Sequence, residues 1–363
     1  MTRPTVNDIA REAGVSLATV DRVLNARPGV RQKTIIAVND AIARLGYVRD
    51  LAAANLARSR NYRMVVLLPD TDGQFVQTLA AALQDAAALA AAARTEMDLR
   101  HFPPEDMHVL AAMLLALRPE EVAGVALMAP ETPVVRDAVR ALRHKGIPVV
   151  ALVSDLPNTG RDHFVGIDNR AAGRTAGVLM GRFCRGAGPS QAGAGQGGRI
   201  MVLAESMLLR DSIERRRGFD EVMVADFPGV EVLPTLETHG SPETLRQVVR
   251  ERLAASPDII GIYLLGSGHR ALQAALANLG LSGRFTVIGH ELTPHTRAAL
   301  MSGDLAAVIA QNPGHLARSA LRVLRAKADR QPIDEGQEQL RIEIVIRENL
   351  PAFPMEDAQA SAA

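Results

Sequence analysis

The chain has 363 residues, 47% of them hydrophobic and 22% charged, with a formal net charge of +1. That length and apolar content suit a folded protein of two or more domains and exclude a wholly disordered chain. The single cysteine, Cys184, excludes an internal disulfide, and no run of eighteen uninterrupted apolar residues argues for a membrane span.

The charge is uneven along the chain. Residues 1–60 hold ten Arg or Lys against five Asp or Glu, so this head carries +5 and the remainder −4. A basic head on a slightly acidic body points to a polyanion partner for the head and a different partner for the body. The opening stretch, "MTRPTVNDIAREAG", has no apolar signal-peptide core, from which a cytoplasmic location is expected.

Apolar residues in the head recur at spacings of three and four: Val6, Ile9, Ala10 and Ala13, then Val20, Val23 and Leu24, then Ile35, Val38, Ile42 and Leu45. This predicts three helices, the first beginning at Thr5 with Asp8 three residues on, the second at Ser16 after Gly14, the third ending at Gly46. A helix, a glycine turn, a second helix and a supporting third make a helix-turn-helix unit. On the second helix Val20, Val23 and Leu24 face inward and leave Leu17, Ala18, Asp21, Arg22 and Asn25 outward, as a groove-reading face. Asp21 puts a carboxylate there, able to accept from a cytosine amino group or to repel a misplaced phosphate. Residues 49–60, "RDLAAANLARSR", read as a linker with the makings of a short helix that is marginal alone.

From Tyr62 the pattern changes to short apolar strands alternating with helices: "MVVLLP", "VAGVALM", "IPVVALV", "RIMVLA", "IIGIYLL", "FTVIGH" and "LAAVIAQ". Such alternation predicts a doubly wound, parallel α/β body. "MHVLAAMLLAL" at 107–117 reads as a buried helix, "GAGPSQAGAGQGG" at 186–198 as a surface loop and residues 351–363 as a disordered tail. In this architecture ligands bind at the carboxyl ends of strands. The polar residues there are Asp72, Gln74, Ser154, Asp155, Asp168, Asn169, Arg215, Ser267, His290, Glu291 and Gln311, with Phe75 as a stacking face. Carboxylates, amides and an arginine suit a polyhydroxylated ligand, because each hydroxyl both donates and accepts. The nine histidines and one cysteine have no ligand spacing, so no metal and no cofactor is expected, and nothing favours catalysis. Gly266-x-Gly268-x-x-Ala271, with Glu291 about twenty residues on, satisfies a dinucleotide fingerprint locally and keeps a nicotinamide-dependent dehydrogenase as a remote alternative. A secreted solute-binding protein is the other rival, and the basic head argues against it.

"TVNDIAREAGVSLATVDRVLN" followed by "GVRQKTIIAVNDAIARLGY" resembles the head of the lactose-repressor (LacI/GalR) family of bacterial transcription regulators. The resemblance implies that Thr5, Ser16, Thr19, Asn25, Val30, Arg31, Thr34 and Tyr47 hold the DNA backbone, while Leu17, Ala18 and Arg22 face bases. It also implies that "AAANLA" is a hinge helix, with Leu56 beside Asn55 as a wedge in the minor groove. Two departures stand out: Asp21 replaces a small hydroxyl residue, and Arg49-Asp50 replaces Pro-Asn before the hinge. The body is similar to the periplasmic sugar-binding fold, closest to its ribose-binding branch, through "DGQFVQTL", "GIDNRAAGRTAG", "ERRRGF", "IGHE" and "AVIAQ". His290 stands where an aromatic often stacks on the sugar.

The implied layout is a head at 1–48, a hinge at 49–61 and an effector domain at 62–350. Its lobes are 62–167 with 312–341, and 168–311 with 342–350. The implied function is a homodimeric repressor of carbohydrate uptake or catabolism genes, released from double-stranded operator DNA by a small-molecule sugar or polyol. The alternative is a corepressor-type regulator sensing a nucleobase, a nucleoside or another small polar metabolite. No membrane partner is expected.

Overall fold

A computed structural model describes residues 4–24, 28–47, 61–184 and 197–351. The chain divides into two compact units, residues 1–61 and 62–363.

The head consists of α1 (Val6–Ala13), α2 (Leu17–Leu24) and α3 (Gln32–Leu45), at the positions the apolar spacing predicts. The Thr5 N–H and hydroxyl both donate to Asp8 Oδ2, at 2.9 and 2.7 Å, closing the start of α1. Gly14 ends α1 at φ +66, in the left-handed region that glycine enters without a Cβ penalty. Ser16 Oγ then accepts from the Thr19 N–H at 3.2 Å and caps α2. Ile9, Val20, Val38 and Ala41 are fully buried, with Val23, Leu24, Ile42, Leu45 and Tyr47 packed around them.

The body has two sheets. The first has the order β2-β1-β3-β4-β5, from β1 (Tyr62–Pro69), β2 (Thr95–Phe102), β3 (Gly124–Leu127), β4 (Val149–Leu152) and β5 (His163–Val165), all parallel. The second has the order β12-β11-β10-β9-β6-β7, with β8 also paired to β6. Its strands are β6 (Arg199–Ala204), β7 (Glu231–Val232), β8 (Leu236–Glu237), β9 (Ile259–Leu264), β10 (Thr286–His290), β11 (Ala307–Ala310) and β12 (Glu343–Val345). Helices cover both faces of both sheets, as the strand–helix alternation predicts. Five strands lie outside the predicted apolar runs: the short β5, β7 and β8, and two more, β12 and β2. β12 runs antiparallel to β11 at an edge. β2, "TEMDLRHF", lacks an apolar run because it too is an edge strand, where charge is tolerated and blunts aggregation. There Asp98 accepts from Arg63 at 2.9 Å and Arg100 at 2.7 Å.

The helices of the body are α4 (Gln74–Ala90), α5 (Met107–Leu115), α6 (Pro133–His144), α7 (Asn169–Cys184), α8 (Arg210–Asp226), α9 (Pro242–Ala255), α10 (His269–Asn278), α11 (Pro294–Ser302), α12 (Pro313–Ala328) and the short α13 (Glu335–Glu338). Among the described residues, α4 with the turn that carries it to Ala93 is the one stretch long and apolar enough by composition to cross a membrane. Its apolarity is largely alanine. Val76, Leu79, Leu83 and Ala86 are buried in the core shared with Leu316, Ala320 and Leu324 of α12, the packing of a core helix. Chain crossings between the sheets fall between β5 and α7, between β11 and α12, and ahead of β12.

One contact positions the site described below. α7 carries Gly173, Gly177 and Gly181 along one face against α8, and a Cβ built on Gly173 would stand 2.0 Å from the Arg215 carbonyl oxygen. Gly218 on α8 answers it, since a Cβ there would stand 2.0 Å from the Arg170 carbonyl oxygen. The two backbones approach too closely for any side chain. Gly173→Ala is therefore expected to destabilise the body by about 1–3 kcal/mol, read as a lowered melting temperature in calorimetry.

Candidate functional site

The loops after β4, β9, β10 and β11 and the first turns of α7 and α8 converge on one buried guanidinium. Arg215, on the second turn of α8, is 1% exposed. Its Nε donates to Asn169 Oδ1 at 2.8 Å, its Nη1 to the Leu265 carbonyl at 2.7 Å and its Nη2 to Glu291 Oε1 at 3.3 Å. Asp211, one helical turn earlier, places Oδ2 3.7 Å from Nη1. Gln311 Nε2 donates to the same Glu291 oxygen at 3.0 Å. Taking a charge out of water costs several kcal/mol unless it is paired and hydrogen-bonded, and here two carboxylates and two further acceptors meet that demand.

Glu291 follows β10 at φ +68, a left-handed conformation that costs a non-glycine residue about 1–2 kcal/mol. The turn aims its carboxyl at Arg215. Burial pushes that carboxyl up to about 7 from its ordinary 4.5, against the pull of Arg215. Three acceptor atoms of the group, Asp211 Oδ1, Glu291 Oε2 and Gln311 Oε1, are buried with no protein partner. His290 lies in the same shell. Its Nε2 shares a 2.8 Å hydrogen bond with the Tyr263 hydroxyl, and Tyr263 stacks on Phe219 with centroids 4.5 Å apart. Burial and the nearby Arg215 hold the His290 imidazole neutral, and burial lowers His269 to about 4.

The first-sheet side reaches this group from across the chain crossings. Ser154 is fully buried, and its Oγ accepts from the N–H groups of Arg210 and Asp211 at 3.1 and 3.4 Å, capping α8. Val153, beside it, is held at φ +64, an outlier for a β-branched residue, and its carbonyl accepts from Asn169 Nδ2 at 3.3 Å. Gln74 Oε1 accepts from the His295 N–H at 3.3 Å, a second bridge between the two sides.

Of the sequence candidates, Asn169, Arg215, Glu291 and Gln311 are linked in one hydrogen-bonded chain, with His290 adjoining and Ser154 and Gln74 at the bridges. Phe75 is half-buried against the core. The others are engaged elsewhere. Asp168 accepts from the Ala171 N–H at 2.9 Å and caps α7, Asp155 pairs with Arg161 at 2.6 Å, Ser267 donates to Glu205, and Asp72 is exposed. Asp211 and His295 escaped the sequence reading. Asp211 sits in the charged run "RDSIERRR", which reads as a solvated helix face; its spacing of four from Arg215 was the available signal.

In the head, Leu17 is 49% exposed, and Ala18, Arg22, Ser16, Thr5 and Arg31 are exposed. Thr19, Asp21, Val30, Thr34 and Tyr47 are half-buried, Tyr47 by packing on the head core. α2 thus shows Leu17, Ala18 and Arg22 to solvent while Val20 is sealed inside. Asn25, Asn55 and Leu56 lie outside the described residues, as do most of the 186–198 loop and the tail beyond Pro351.

Residues 5–50 match the family of bacterial regulatory proteins described as lacI, and residues 64–332 match the Periplasmic binding protein domain. The chain belongs to the Periplasmic binding protein domain family and carries a lacI-type regulatory head in front of that body. It is 32% identical over 168 residues to Catabolite control protein A of Priestia megaterium, covering 46% of this chain and 48% of that one. It is 42% identical over 81 residues to the HTH-type transcriptional regulator RegA of Clostridium saccharobutylicum, covering 22% and 24%. The chain thus matches less than half the length of each of these relatives. Among solved structures, GanP, a glucose-galactose binding protein of Geobacillus stearothermophilus, aligns at a TM-score of 0.69 and 18% identity over 81% of this chain and 100% of that one. A Burkholderia graminis C4D1M solute binding protein in complex with D-arabinose aligns at 0.70 and 21%, over 81% and 98%. At these identities the structures establish the fold. Within it, Gly268 of the fingerprint after β9 has a local explanation. Gly268 opens α10 at φ +107, and a Cβ there would stand 2.8 Å from Leu245.

Glu291 sets a pH dependence for the periplasmic-binding-protein body. Between 4.5 and about 7 the folded chain holds a proton that the unfolded chain has released. The stability this carboxyl contributes is complete below 4.5 and is lost as pH rises through about 7, with a slope of at most about 1.4 kcal/mol per pH unit. His269 works in the opposite direction between its ordinary 6.5 and about 4, so the informative quantity is a difference between variants. The stability of the parent protein minus that of Glu291→Gln, by urea titration from acidic to neutral pH, is expected to decline through this window and then level off.

Proposed function

We propose that the chain is a DNA-binding transcriptional regulator whose body is a sensor for a small polar effector of the sugar or polyol class. The reading is carried by the buried Asn169–Asp211–Arg215–Glu291–Gln311 group, which leaves three side-chain oxygens without protein partners, two after parallel strands and one on the first turn of α8. Open oxygens in that place suit a ligand of the sugar or polyol class, which brings several hydrogen-bond donors. The exposed Leu17, Ala18 and Arg22 on α2 supply the complementary observation for the head. Arg22 is suited to a bidentate pair with guanine, and Leu17 and Ala18 to apolar contact with a thymine methyl. Thr5, Ser16, Thr19, Asn25, Val30, Arg31, Thr34 and Tyr47 serve as backbone contacts in this proposal, and Asn55 and Leu56 as the minor-groove element. The protein acts in the cytoplasm as a homodimer on a two-fold operator, because paired heads match paired half-sites.

Coupling follows from the bridges across the chain crossings. A ligand drawing on Glu291 and Gln311 acts on Arg215, which holds Asn169, which holds the Val153 carbonyl on the opposite side. Ser154 ties the same segment to the first N–H groups of α8. Occupancy is thereby linked to the angle between the two sides, and through it to the spacing of the heads. Such coupling works equally in both directions. Repression relieved by an inducer is the proposed sign.

The test is operator selection from random duplexes, followed by titration of the selected site with and without pentoses, hexoses and polyols. A sugar that releases DNA supports the reading; a protein that selects no duplex defeats it. Arg22→Ala is expected to weaken the selected site by about 5- to 150-fold, while binding to random DNA changes much less. Ser154→Ala removes a helix cap supplied across the crossings. It should lower the stability of the body by about 1 kcal/mol and shrink the effector's influence on DNA affinity, while direct binding of the effector persists.

A further inference from the structure

The charges and open valences around Arg215 say more about the ligand than its polarity. Asp211 and Glu291 both flank the one guanidinium, at 3.7 and 3.3 Å, and their side chains are each 11% exposed. One cation therefore faces two acids, and the second acid is surplus. Arg215 is turned to protein acceptors on Nε, Nη1 and Nη2. The neighbouring cations on α8 are committed as well, with Arg210 on Glu214 at 2.7 Å and Arg216 on Asp220 at 2.8 Å. The other titratable groups of this shell, His290 and His269, are buried and neutral. What remains without a protein partner is Asp211 Oδ1, Gln311 Oε1, Glu291 Oε2, which is an acceptor when that carboxyl is ionised, and beside them His290 Nδ1; Gln311 is 2% exposed.

We infer that the effector is an amine-bearing sugar or polyol whose ammonium group donates its three N–H bonds to Asp211, Glu291 and Gln311. This rests on the effector-binding reading above and narrows its ligand class. A hydroxyl supplies one donor and leaves its own lone pairs to be satisfied by a group rich in acceptors. A carboxylate or phosphate on the ligand would meet two acids and a cation already in use. An ammonium supplies one donor for each of the three open oxygens, and its charge draws the Glu291 carboxyl into the ionised form in which Oε2 accepts.

The test uses the full chain at neutral pH with matched probes: glucose, glucosamine and glucuronate, and galactose, galactosamine and galacturonate. Binding is followed by calorimetry and by thermal shift. In at least one set the aminated member is expected to bind about tenfold or more tighter than its neutral parent, the gain of hydrogen bonds to charged groups, while the acid does not bind. Asp211→Asn should bring the aminated and neutral members to within about threefold of each other. A neutral parent that binds as tightly as its amine overturns this inference and leaves the sugar or polyol reading standing. Preference for the acids, or binding by none of the six, overturns both. Because the comparison among probes is made on the unaltered protein, it decides the matter even if the variant fails to fold.

Discussion

The body is organised around the burial of a single guanidinium. Arg215 is at once a large side chain and an ionised one, and a protein interior accepts such a group only when its donors are satisfied and its charge is balanced. Asn169, Asp211, the Leu265 carbonyl and Glu291 meet that requirement from four different segments of the chain. Each is drawn to one point by the same demand. The left-handed turn at Glu291 and the glycine contact between α7 and α8 are what bring the partners within reach.

That arrangement is over-supplied with acceptors. A structural ion pair would be complete with one carboxylate, whereas this one adds a second acid and an amide and leaves an oxygen of each of the three unpartnered. Burial without partners is costly, and this surplus is the observation on which the proposed effector site rests. The same burial holds the Glu291 carboxyl above its ordinary range, against the pull of Arg215.

How much of this was legible in the sequence differs by region. The head is local: its caps, its glycine turn and its three- and four-residue apolar spacing lie within a few residues of each other, and α1, α2 and α3 follow the pattern closely. The buried parallel strands were equally visible, because strands covered on both faces are continuous apolar runs. β2 and β12 were not, since an edge strand needs no such run and their pairing is decided by distant partners. Among the site candidates, polar residues after strands were a sound guide but could not separate a cap from a site. Asp168 and Asn169 are adjacent, yet one closes the end of α7 and the other reaches Arg215.

The sequence by itself determined the elements, their order, the charge division between head and body and the pool of polar residues at strand ends, because these depend on local periodicity and composition. Only the tertiary structure decided which of those residues meet. Asn169, Asp211, Arg215, Glu291 and Gln311 are brought together by chain crossings and a glycine-lined helix contact, and no local pattern encodes a contact between residues 76 positions apart. It also revealed which side-chain atoms are left without protein partners after Arg215 is satisfied. That property belongs to the assembled group and to none of its residues alone.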